Sequence, residues 1–249
     1  MKVLATSDWH LDAVTAGVPR LREFGAYLSR VVAAVREEPI DLVLVLGDYF
    51  DPGRLNAHEL TVRLMEAAAE LAELAPTVMI AGNHDVVESS GGWTTLSPLV
   101  VAARCGLGGG RLQAFERPEA VEVAGVTVLA LPYVARSVEM AQGYAGLRSR
   151  AFDRAAHAGG PLVVAGHLTV PGAIMGSETR EMARGRDVDF PAGEVAALKP
   201  ALVLNGHYHR PQVVRGPVDV VVPGSPHRFT FGEGDADSRG FVVAEVRGA

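Results

Sequence analysis

The sequence predicts an α/β fold whose main sheet is parallel. Three apolar runs of strand length, at residues 2–6, 41–46 and 77–81, are separated by two segments with helical periodicity. Continuous apolar runs of this length are typical of parallel strands that are covered on both faces. Strands that alternate with helices in this way predict right-handed crossover connections. Because 249 residues without a repeat or a linker suffice for one core, we expect a single domain over residues 1–249.

The two intervening helices are predicted from apolar residues that recur every three or four positions, over residues 19–38 and about 57–74. Asn56 followed by Glu59 fits a capping box at the start of the second helix. Alternating polarity then predicts an antiparallel hairpin or meander over residues 111–131. The remaining pattern predicts buried strands at 161–165 and 201–204, short helices near 94–103 and 192–198, a weak helical pattern over 137–157, a loop over 170–190, and strand-like runs at 212–215, 218–222 and 240–246.

The composition limits the classes of protein to which this chain can belong. The net charge is −6, from 23 basic and 29 acidic residues, which does not suit a chain that grips polyanions by bulk charge. A phosphate substrate would therefore need a local positive feature, such as bound metal ions. The single cysteine, Cys105, allows no disulfide within the chain. No apolar run has the roughly 18 residues of a membrane span, and Ser7-Asp8 interrupts the N-terminal run, so we expect a cytoplasmic protein without membrane contact.

Polar side chains follow five of the apolar runs at the point where each run ends. They are Asp8 and His10, Asp48, Asn83 and His84, His167, and His207 and His209. Ligands of α/β sheets bind beyond the carboxyl ends of the strands, so these side chains would converge if the five runs are neighbours in one sheet. Six of the eight histidines lie at or beside these positions if the loop that holds His227 folds back. Histidines scattered through a core would not collect at strand ends.

The kinds of side chain at these positions indicate a centre with two metal ions. Apart from His84, these side chains are two aspartates, one asparagine and four histidines, and this set without a thiolate excludes a structural zinc finger. Mixed imidazole and carboxylate ligands suit Mn, Fe or Zn, and the histidines favour Mn over Mg. Seven ligands exceed the shell of one ion. A carboxylate such as Asp48 can bridge two ions that are roughly 3.5–4 Å apart, as in phosphoryl chemistry.

The order and spacing of five motifs resemble those of a known family, the calcineurin-like metallophosphoesterases. The motifs are Asp8-x-His10, Gly47-Asp48-x-x-Asp51, Gly82-Asn83-His84-Asp85, Gly166-His167 and Gly206-His207-x-His209. Their flanks, among them Ser7-Asp8-Trp9-His10-Leu11 and Gly224-Ser225-Pro226, resemble the SbcD-type DNA double-strand-break repair nucleases. The resemblance implies a four-layer sandwich of mixed sheets, with helices on the outer faces and the metal site at the carboxyl ends of the strands.

The resemblance also implies a role for each site residue. One ion would be held by Asp8, His10, Asp48 and His209, and the other by Asp48, Asn83, His167 and His207. His84 would contact the scissile phosphate and help to protonate the leaving oxygen, and a metal-bridging hydroxide would be the nucleophile. Asp85 would orient the His84 imidazole, and Asp51 would support a ligand from outside the shell. Arg210 and Arg228 are candidates for contacts with substrate phosphates because of their positions.

Several of these residues have simpler interpretations. Asp51 can equally cap the turn that follows it. Trp9 is either a base-stacking residue or, as we favour, a core aromatic beside the site. His227 is better read as a loop residue than as a ligand, because seven ligands already suffice. His58 and His157 lie within helical patterns and are expected to be solvated.

The function that the resemblance implies is a Mn-dependent binuclear DNA nuclease, acting in DNA repair or end processing. A phosphodiesterase or phosphatase for small molecules or cyclic nucleotides is the first alternative, and a non-catalytic scaffold is the second. Enzymes of this type usually continue into a DNA-capping domain and a segment that binds a coiled-coil ATPase, whereas the present chain stops near the end of the phosphoesterase core. This departure suggests a minimal, stand-alone or differently partnered nuclease. The sequence leaves open an ATPase or helicase partner and a homodimer.

Overall fold

The computed structural model describes residues 1–50, 57–86, 93–135, 143–175, 188–230, 233 and 238–246. This part of the chain forms the following elements: β1 Lys2–Thr6, β2 Val14–Thr15, β3 Val18–Pro19, α1 Leu21–Glu37, β4 Leu42–Val45, α2 Ala57–Leu74, β5 Thr77–Ile80, α3 Ser97–Arg104, a 3-10 turn Leu107–Gly110, β6 Leu112–Phe115, β7 Glu119–Val123, β8 Val126–Leu131, α4 Tyr144–Ala156, β9 Leu162–Gly166, α5 Ala192–Ala197, β10 Leu202–Asn205, β11 Gln212–Val214, β12 Val220–Val222 and β13 Val242–Glu245. Among these helices, none is long and apolar enough to cross a membrane.

Most of the strands belong to two mixed sheets. The first has the order β13-β1-β4-β5-β6, and the second has the order β11-β12-β10-β9-β8-β7. In the first sheet only β13 runs antiparallel to its neighbour. In the second sheet the two edge strands, β11 and β7, are antiparallel and the four inner strands are parallel. Strands β2 and β3 form a separate hairpin.

Alternate residues of the buried strands pack into different layers of the core. Leu42 and Leu44 pack between the two sheets, whereas Val43 and Val45 pack on the opposite face of the same strand, in the cluster that contains the buried residues of α1 and α2. A third cluster joins the outer face of the second sheet to α4 and α5. Full burial of such aliphatic side chains contributes about 1.5–3 kcal/mol each. The predicted four-layer sandwich with helices on its outer faces is confirmed.

The structure differs from the sequence prediction in how the strands pair. The five apolar runs with polar ends lie in two sheets rather than one, with β1, β4 and β5 in the first and β9 and β10 in the second. The predicted meander is also divided, because β6 pairs in parallel with β5 and only β7 and β8 form an antiparallel pair. β6 alternates in burial because it is the edge strand of the first sheet, and such alternation does not reveal the direction of pairing.

Most predicted helices lie close to the expected positions. The helix predicted at about 57–74 is α2, and the weak pattern over 137–157 contains α4, which begins at Tyr144. The helix predicted near 94–103 is α3, which begins at Ser97. Asn56 lies outside the described residues, so the capping box stays a prediction.

Candidate metal centre

The loops that follow five parallel strands of the two sheets meet at one end of the sandwich. Within the first sheet, the backbone N–H groups of Asp8 and His10 donate to the carbonyls of Gly47 and Asp48, both at 3.0 Å. Between the sheets, the N–H of His207 donates to Asp8 Oδ1 at 3.2 Å. The polar residues that follow the strands are therefore tied together across the sheet boundary.

Several polar residues at these strand ends have strained backbones. Asp8, His10, Asp48 and His207 have φ values of 54°, 41°, 58° and 77°, in the left-handed region. Such conformations cost about 1–3 kcal/mol each in a residue other than glycine, and they persist where the surrounding structure fixes them, commonly at functional sites. The strain at four predicted ligands marks this edge as the candidate site.

Glycines allow the loops to approach one another closely. A Cβ atom on Gly82 would lie 2.1 Å from Asp48 Oδ1, and one on Gly206 would lie 2.3 Å from Ser7 Oγ. Of the glycines at these strand ends, Gly47 has a left-handed φ, 90°. The turn at Gly47 therefore requires glycine for its backbone conformation, whereas Gly82 and Gly206 leave no space for a larger side chain.

One group of candidate ligands combines both sheets. Ligand atoms of Asp8, His10 and His209 all lie within 4.8 Å of one another. The Nε2 atoms of His10 and His209 are 3.2 Å apart, and His10 Nε2 is 4.0 Å from Asp48 Oδ2. All four residues are buried. These are the four residues that the resemblance assigns to one ion.

A second group lies beside the first and shares Asp8 with it. It contains Asp8, Asp48 and His167, again with ligand atoms within 4.8 Å. His167 Nε2 lies 3.3 Å from Asp48 Oδ2 and 3.0 Å from Asn83 Oδ1, and His207 Nδ1 lies 2.8 Å from the same amide oxygen. All seven predicted ligands are therefore brought together, and both Asp8 and Asp48 lie close to residues of both groups.

The surroundings of His167 test whether a cation fits here. Its Nδ1 is 2.5 Å from the carbonyl oxygen of Leu46, which can only accept, so Nδ1 carries a proton. Nε2 then faces two oxygen acceptors, from Asp48 and Asn83, and this contact needs a cation between them. Burial lowers the pKa of His167, but Asp48, Asp8 and the Leu46 carbonyl together outweigh burial and raise the pKa to about 9. A cation at Nε2, either a proton or a divalent ion, would satisfy both oxygens.

The pKa values of the other titratable ligands are also shifted by burial and by the charges around them. Burial raises the pKa of Asp8, and the positive charge of His167 only partly opposes it. Burial likewise favours the neutral form of Asp48, but His167 and His84 prevail and hold the pKa of Asp48 well below its usual range. Burial, together with the charge of His167, lowers the pKa of His207 to about 3. The lowered pKa values of Asp48 and His207 favour ionised carboxylate and neutral imidazole, the forms that bind divalent ions.

Asp85 has different partners from those that the sequence suggested. Its Oδ1 accepts from the Tyr49 N–H at 3.0 Å and the Thr95 hydroxyl at 2.9 Å. Its Oδ2 accepts from the N–H groups of Asp48 at 2.9 Å and Gly82 at 2.7 Å. Burial and the charge of Asp48 raise the pKa of Asp85 to about 6. Through these four bonds, Asp85 holds together the loops that carry the predicted ligands Asp48 and Asn83, and none of the four goes to the His84 ring.

His84 lies next to the ligand groups and is only partly buried. Its N–H donates to Asp48 Oδ1 at 2.8 Å, which fixes the backbone beside that ligand. Its ring stands edge-on to the His10 ring, with centroids 4.9 Å apart. A side chain in this position borders the candidate centre and keeps access to solvent.

Three predicted site residues remain, Asp51, Arg210 and Arg228. Asp51 lies outside the described residues. Arg210 follows His209 directly, and Arg228 precedes Phe229, whose ring centroid is 5.0 Å from those of both His10 and His209. Both arginines are partly buried.

Trp9 is a core residue, as the sequence favoured. It is fully buried, donates from Nε1 to Thr6 Oγ1 at 2.8 Å, and packs against Phe24 and Tyr49. It is therefore inaccessible to a nucleobase. His58 and His157 are exposed, as expected.

Sequence reasoning missed residues that hold the loops in place. The Asn205 amide accepts from the Leu168 N–H at 3.1 Å and donates to the Leu168 carbonyl at 2.9 Å, which joins the loops after β9 and β10. Its position directly before Gly206-His207 was the available signal. Glu233, near His209, lies in a Gly- and Asp-rich stretch where the sequence pattern carries no such signal.

A largely buried set of carboxylates, imidazoles and an amide, gathered where two sheets meet, defines an α/β sandwich protein that is able to hold divalent metal ions. The chain belongs to the calcineurin-like phosphoesterase family, which residues 1–211 match. The family resemblance of the five motifs is thus confirmed.

Two relatives are both named as a subunit of the nuclease SbcCD. The one from Bacillus subtilis (strain 168) is 28% identical over 269 residues, which cover 94% of this chain and 63% of the relative. The one from Escherichia coli (strain K12) is 28% identical over 264 residues, which cover 94% of this chain and 62% of the relative. The chain thus spans less than two thirds of the length of either relative. A solved dimetal phosphatase from Danio rerio has a TM-score of 0.53 at 13% identity, covering 99% of this chain and 92% of that chain, which shows a shared fold.

Proposed function

We propose that this chain is a binuclear, Mn-dependent phosphodiesterase that cuts DNA, in DNA repair or end processing. The observation that carries the proposal is the complete set of seven candidate ligands, gathered from both sheets at one edge. The relatives named as nuclease subunits favour DNA over other phosphodiesters.

The candidate ligands divide between two ions in this proposal. Asp8, His10, Asp48 and His209 would hold one ion, and Asp48, Asn83, His167 and His207 would hold the other. When bound, two such ions neutralise phosphate charge and make water a nucleophile near neutral pH. Mn is the expected metal, with Fe and Zn as alternatives, because imidazole and carboxylate ligands are mixed.

The other side chains bind and orient the substrate. His84 reaches the scissile phosphate from the partly open side and supplies a proton to the leaving oxygen. Asp85 keeps the ligand loops in register through its four hydrogen bonds. Arg210 and Arg228 bind backbone phosphates beside the centre, and Asp51 supports a ligand from outside the shell.

The cellular setting is also part of the proposal. The relatives are each named as one subunit of a nuclease, so we propose that this chain acts in the cytoplasm with a second subunit of ATPase or helicase type. A homodimer remains compatible with this arrangement.

A substrate panel tests the proposal against its nearest rival. Linear and circular DNA, RNA, cyclic nucleotides and phosphopeptides are incubated with the chain after chelation and after Mn addition. We expect Mn-dependent cleavage of DNA. Preference for cyclic nucleotides or other small phosphoesters, which the net charge of −6 would tolerate better, would contradict a DNA nuclease.

The role of His84 has its own test. His84→Ala should reduce DNA cleavage by about 100-fold or more, the usual contribution of a general acid, while Mn binding stays intact. His58→Ala, an exposed helical histidine, is the matched control and should cut at the parent rate. Parental cleavage by His84→Ala would show that the proton comes from elsewhere.

A further inference from the structure

A buried ion pair lies behind His209, on the side away from the ligand groups. Arg239 Nη2 is 2.7 Å from Glu233 Oε2, and these side chains are only 8% and 2% exposed. Burying a charged pair costs desolvation free energy that mutual attraction often fails to recover. Because stability alone does not explain a buried pair, its position beside His209 points to a second role.

The two ring nitrogens of His209 face different partners. Nε2 is 3.2 Å from His10 Nε2 and faces the ligand group, whereas Nδ1 is 3.9 Å from Glu233 Oε1. A carboxylate on the far nitrogen of a metal-binding histidine fixes the ring orientation and the tautomer and makes the ligating nitrogen more basic. Glu233 lies on that side of the His209 ring, at an ion-pair distance that is longer than a hydrogen bond.

The same ion pair also holds the backbone of His209. Arg239 Nη1 donates to the His209 carbonyl oxygen and, at 2.8 Å, to Ser225 Oγ. The N–H of Ser225 donates to the same carbonyl at 3.0 Å. A Cβ atom on Gly224 would lie 2.8 Å from that oxygen, so the Gly224-Ser225-Pro226 turn must pack closely against it. The backbone of His209 is thus held by hydrogen bonds from this cluster, and its ring faces the Glu233 carboxylate of the same cluster.

We propose that Glu233, held by Arg239, is a positioning residue that sets the orientation and basicity of His209 as a metal ligand. Both residues lie beyond the part of the chain that matches the family, residues 1–211. In this inference, Glu233 and Arg239 contribute to the metal centre from the part of the chain after β12. The inference rests on the metal binding in the proposed function, and not on DNA as the substrate.

The test is a calorimetric Mn titration of the metal-free chain without DNA. Glu233→Gln keeps the size of the side chain and removes its charge. We expect the Kd of one of the two ions to rise about 10- to 100-fold, as for other outer partners of metal ligands. The other ion should keep its Kd within about twofold, because the ligands expected for it do not include His209. Glu38→Gln, which makes the same change in an exposed ion pair with Lys2, is the matched control and should change neither Kd.

Conservative variants separate positioning from a purely structural role. Glu233→Asp keeps the charge at a greater distance and should restore part of the lost affinity at the same ion. It also replaces Glu233→Gln if that variant does not fold. Unchanged affinity for both ions, or an equal loss at both, would overturn the inference. A parent chain that binds two Mn ions but cuts no DNA would refute the nuclease proposal and leave this inference standing.

Discussion

His167 illustrates how one side chain serves both the fold and the site. Its Nδ1 donates to the Leu46 carbonyl, which belongs to the loop after β4 of the other sheet. That bond orients Nε2 towards Asp48 and Asn83. The ring is fully buried, so its orientation cannot be set by solvent. The same contact that joins the two sheets prepares the nitrogen for a cation.

Asp85 should affect stability before it affects chemistry. Asp85→Asn removes the charge from four hydrogen bonds and turns an NH2 group towards two donors. Each buried donor left without an acceptor costs about 1–3 kcal/mol, and removing the buried charge beside Asp48 offsets part of this loss, so we expect the free energy of unfolding of the metal-free protein to fall by about 2–4 kcal/mol in urea.

Asp41→Asn is the matched control for that measurement. Asp41 accepts one exposed hydrogen bond, from the Lys2 N–H at 2.7 Å, so the loss should stay below about 1 kcal/mol. If the metal-free Asp85→Asn protein were as stable as the parent, Asp85 would not hold the loops together. The expected role of orienting His84 would then regain support.

His227 makes stability depend on pH. Burial and the positive charge of Arg20 lower its pKa to about 4, from 6.5, and neither ring nitrogen has a hydrogen-bond partner among the described residues. Between pH 6.5 and about 4, the unfolded chain therefore binds more protons than the folded chain. The stabilising contribution is complete above pH 6.5 and is lost as the pH falls towards about 4.

His227→Phe should flatten this dependence, because it keeps a ring beside Phe229 and removes the titration. Urea midpoints of the metal-free proteins are compared between pH 6.5 and about 4. The exposed His58→Gln serves as control and should follow the parent. Parallel pH curves for the parent and His227→Phe would rule out His227 as a source of the acid sensitivity.

At the scale of elements, the strands and helices followed from local patterns, but their pairing did not. The apolar runs that became β1, β4, β5, β9 and β10 were evident because each is buried on both faces. Their division between two sheets depends on packing between distant segments, which local hydrophobicity does not encode. β6 was assigned to the wrong neighbour for this reason.

The residues of the candidate site also fall into two groups, those that the sequence identified and those that it did not. Residues that directly follow a strand, such as Asn83 and His207, were identified because position and chemistry coincided. Glu233 and Arg239 were not, because their approach to His209 depends on the path of the chain after β12. The pairing of Asp85 with backbone N–H groups was likewise hidden, since it depends on how closely the loops approach.

Two Gly→Ala substitutions should have opposite effects at the element scale. Gly25 lies on the exposed side of α1 and has no atom within 4 Å of an added Cβ, so Gly25→Ala should raise the free energy of unfolding by about 0.5–1 kcal/mol. Gly82→Ala should lower it by about 1–3 kcal/mol or more and weaken Mn binding, because its Cβ would overlap Asp48. Chemical denaturation measures both, and a stabilised Gly82→Ala protein would contradict the loop packing.

At the scale of the molecule, each sheet supplies part of the candidate centre. Asp8, Asp48 and Asn83 follow strands of the first sheet, and His167, His207 and His209 follow strands of the second. Neither sheet alone offers the full set. Because ions that bind only the folded chain stabilise it by mass action, metal should reinforce the contact between the two sheets.

The number of Mn ions bound per chain tests the central claim most directly. Equilibrium dialysis with elemental analysis is performed on the parent and on Asp48→Asn, which alters the carboxylate expected to contact both ions. Two ions per parent chain, with weakened binding of both in Asp48→Asn, is the predicted result. A parent chain that binds one ion or none at saturating Mn, or an Asp48→Asn chain that binds two with parental affinity, would contradict a shared two-ion centre at the meeting point of the sheets.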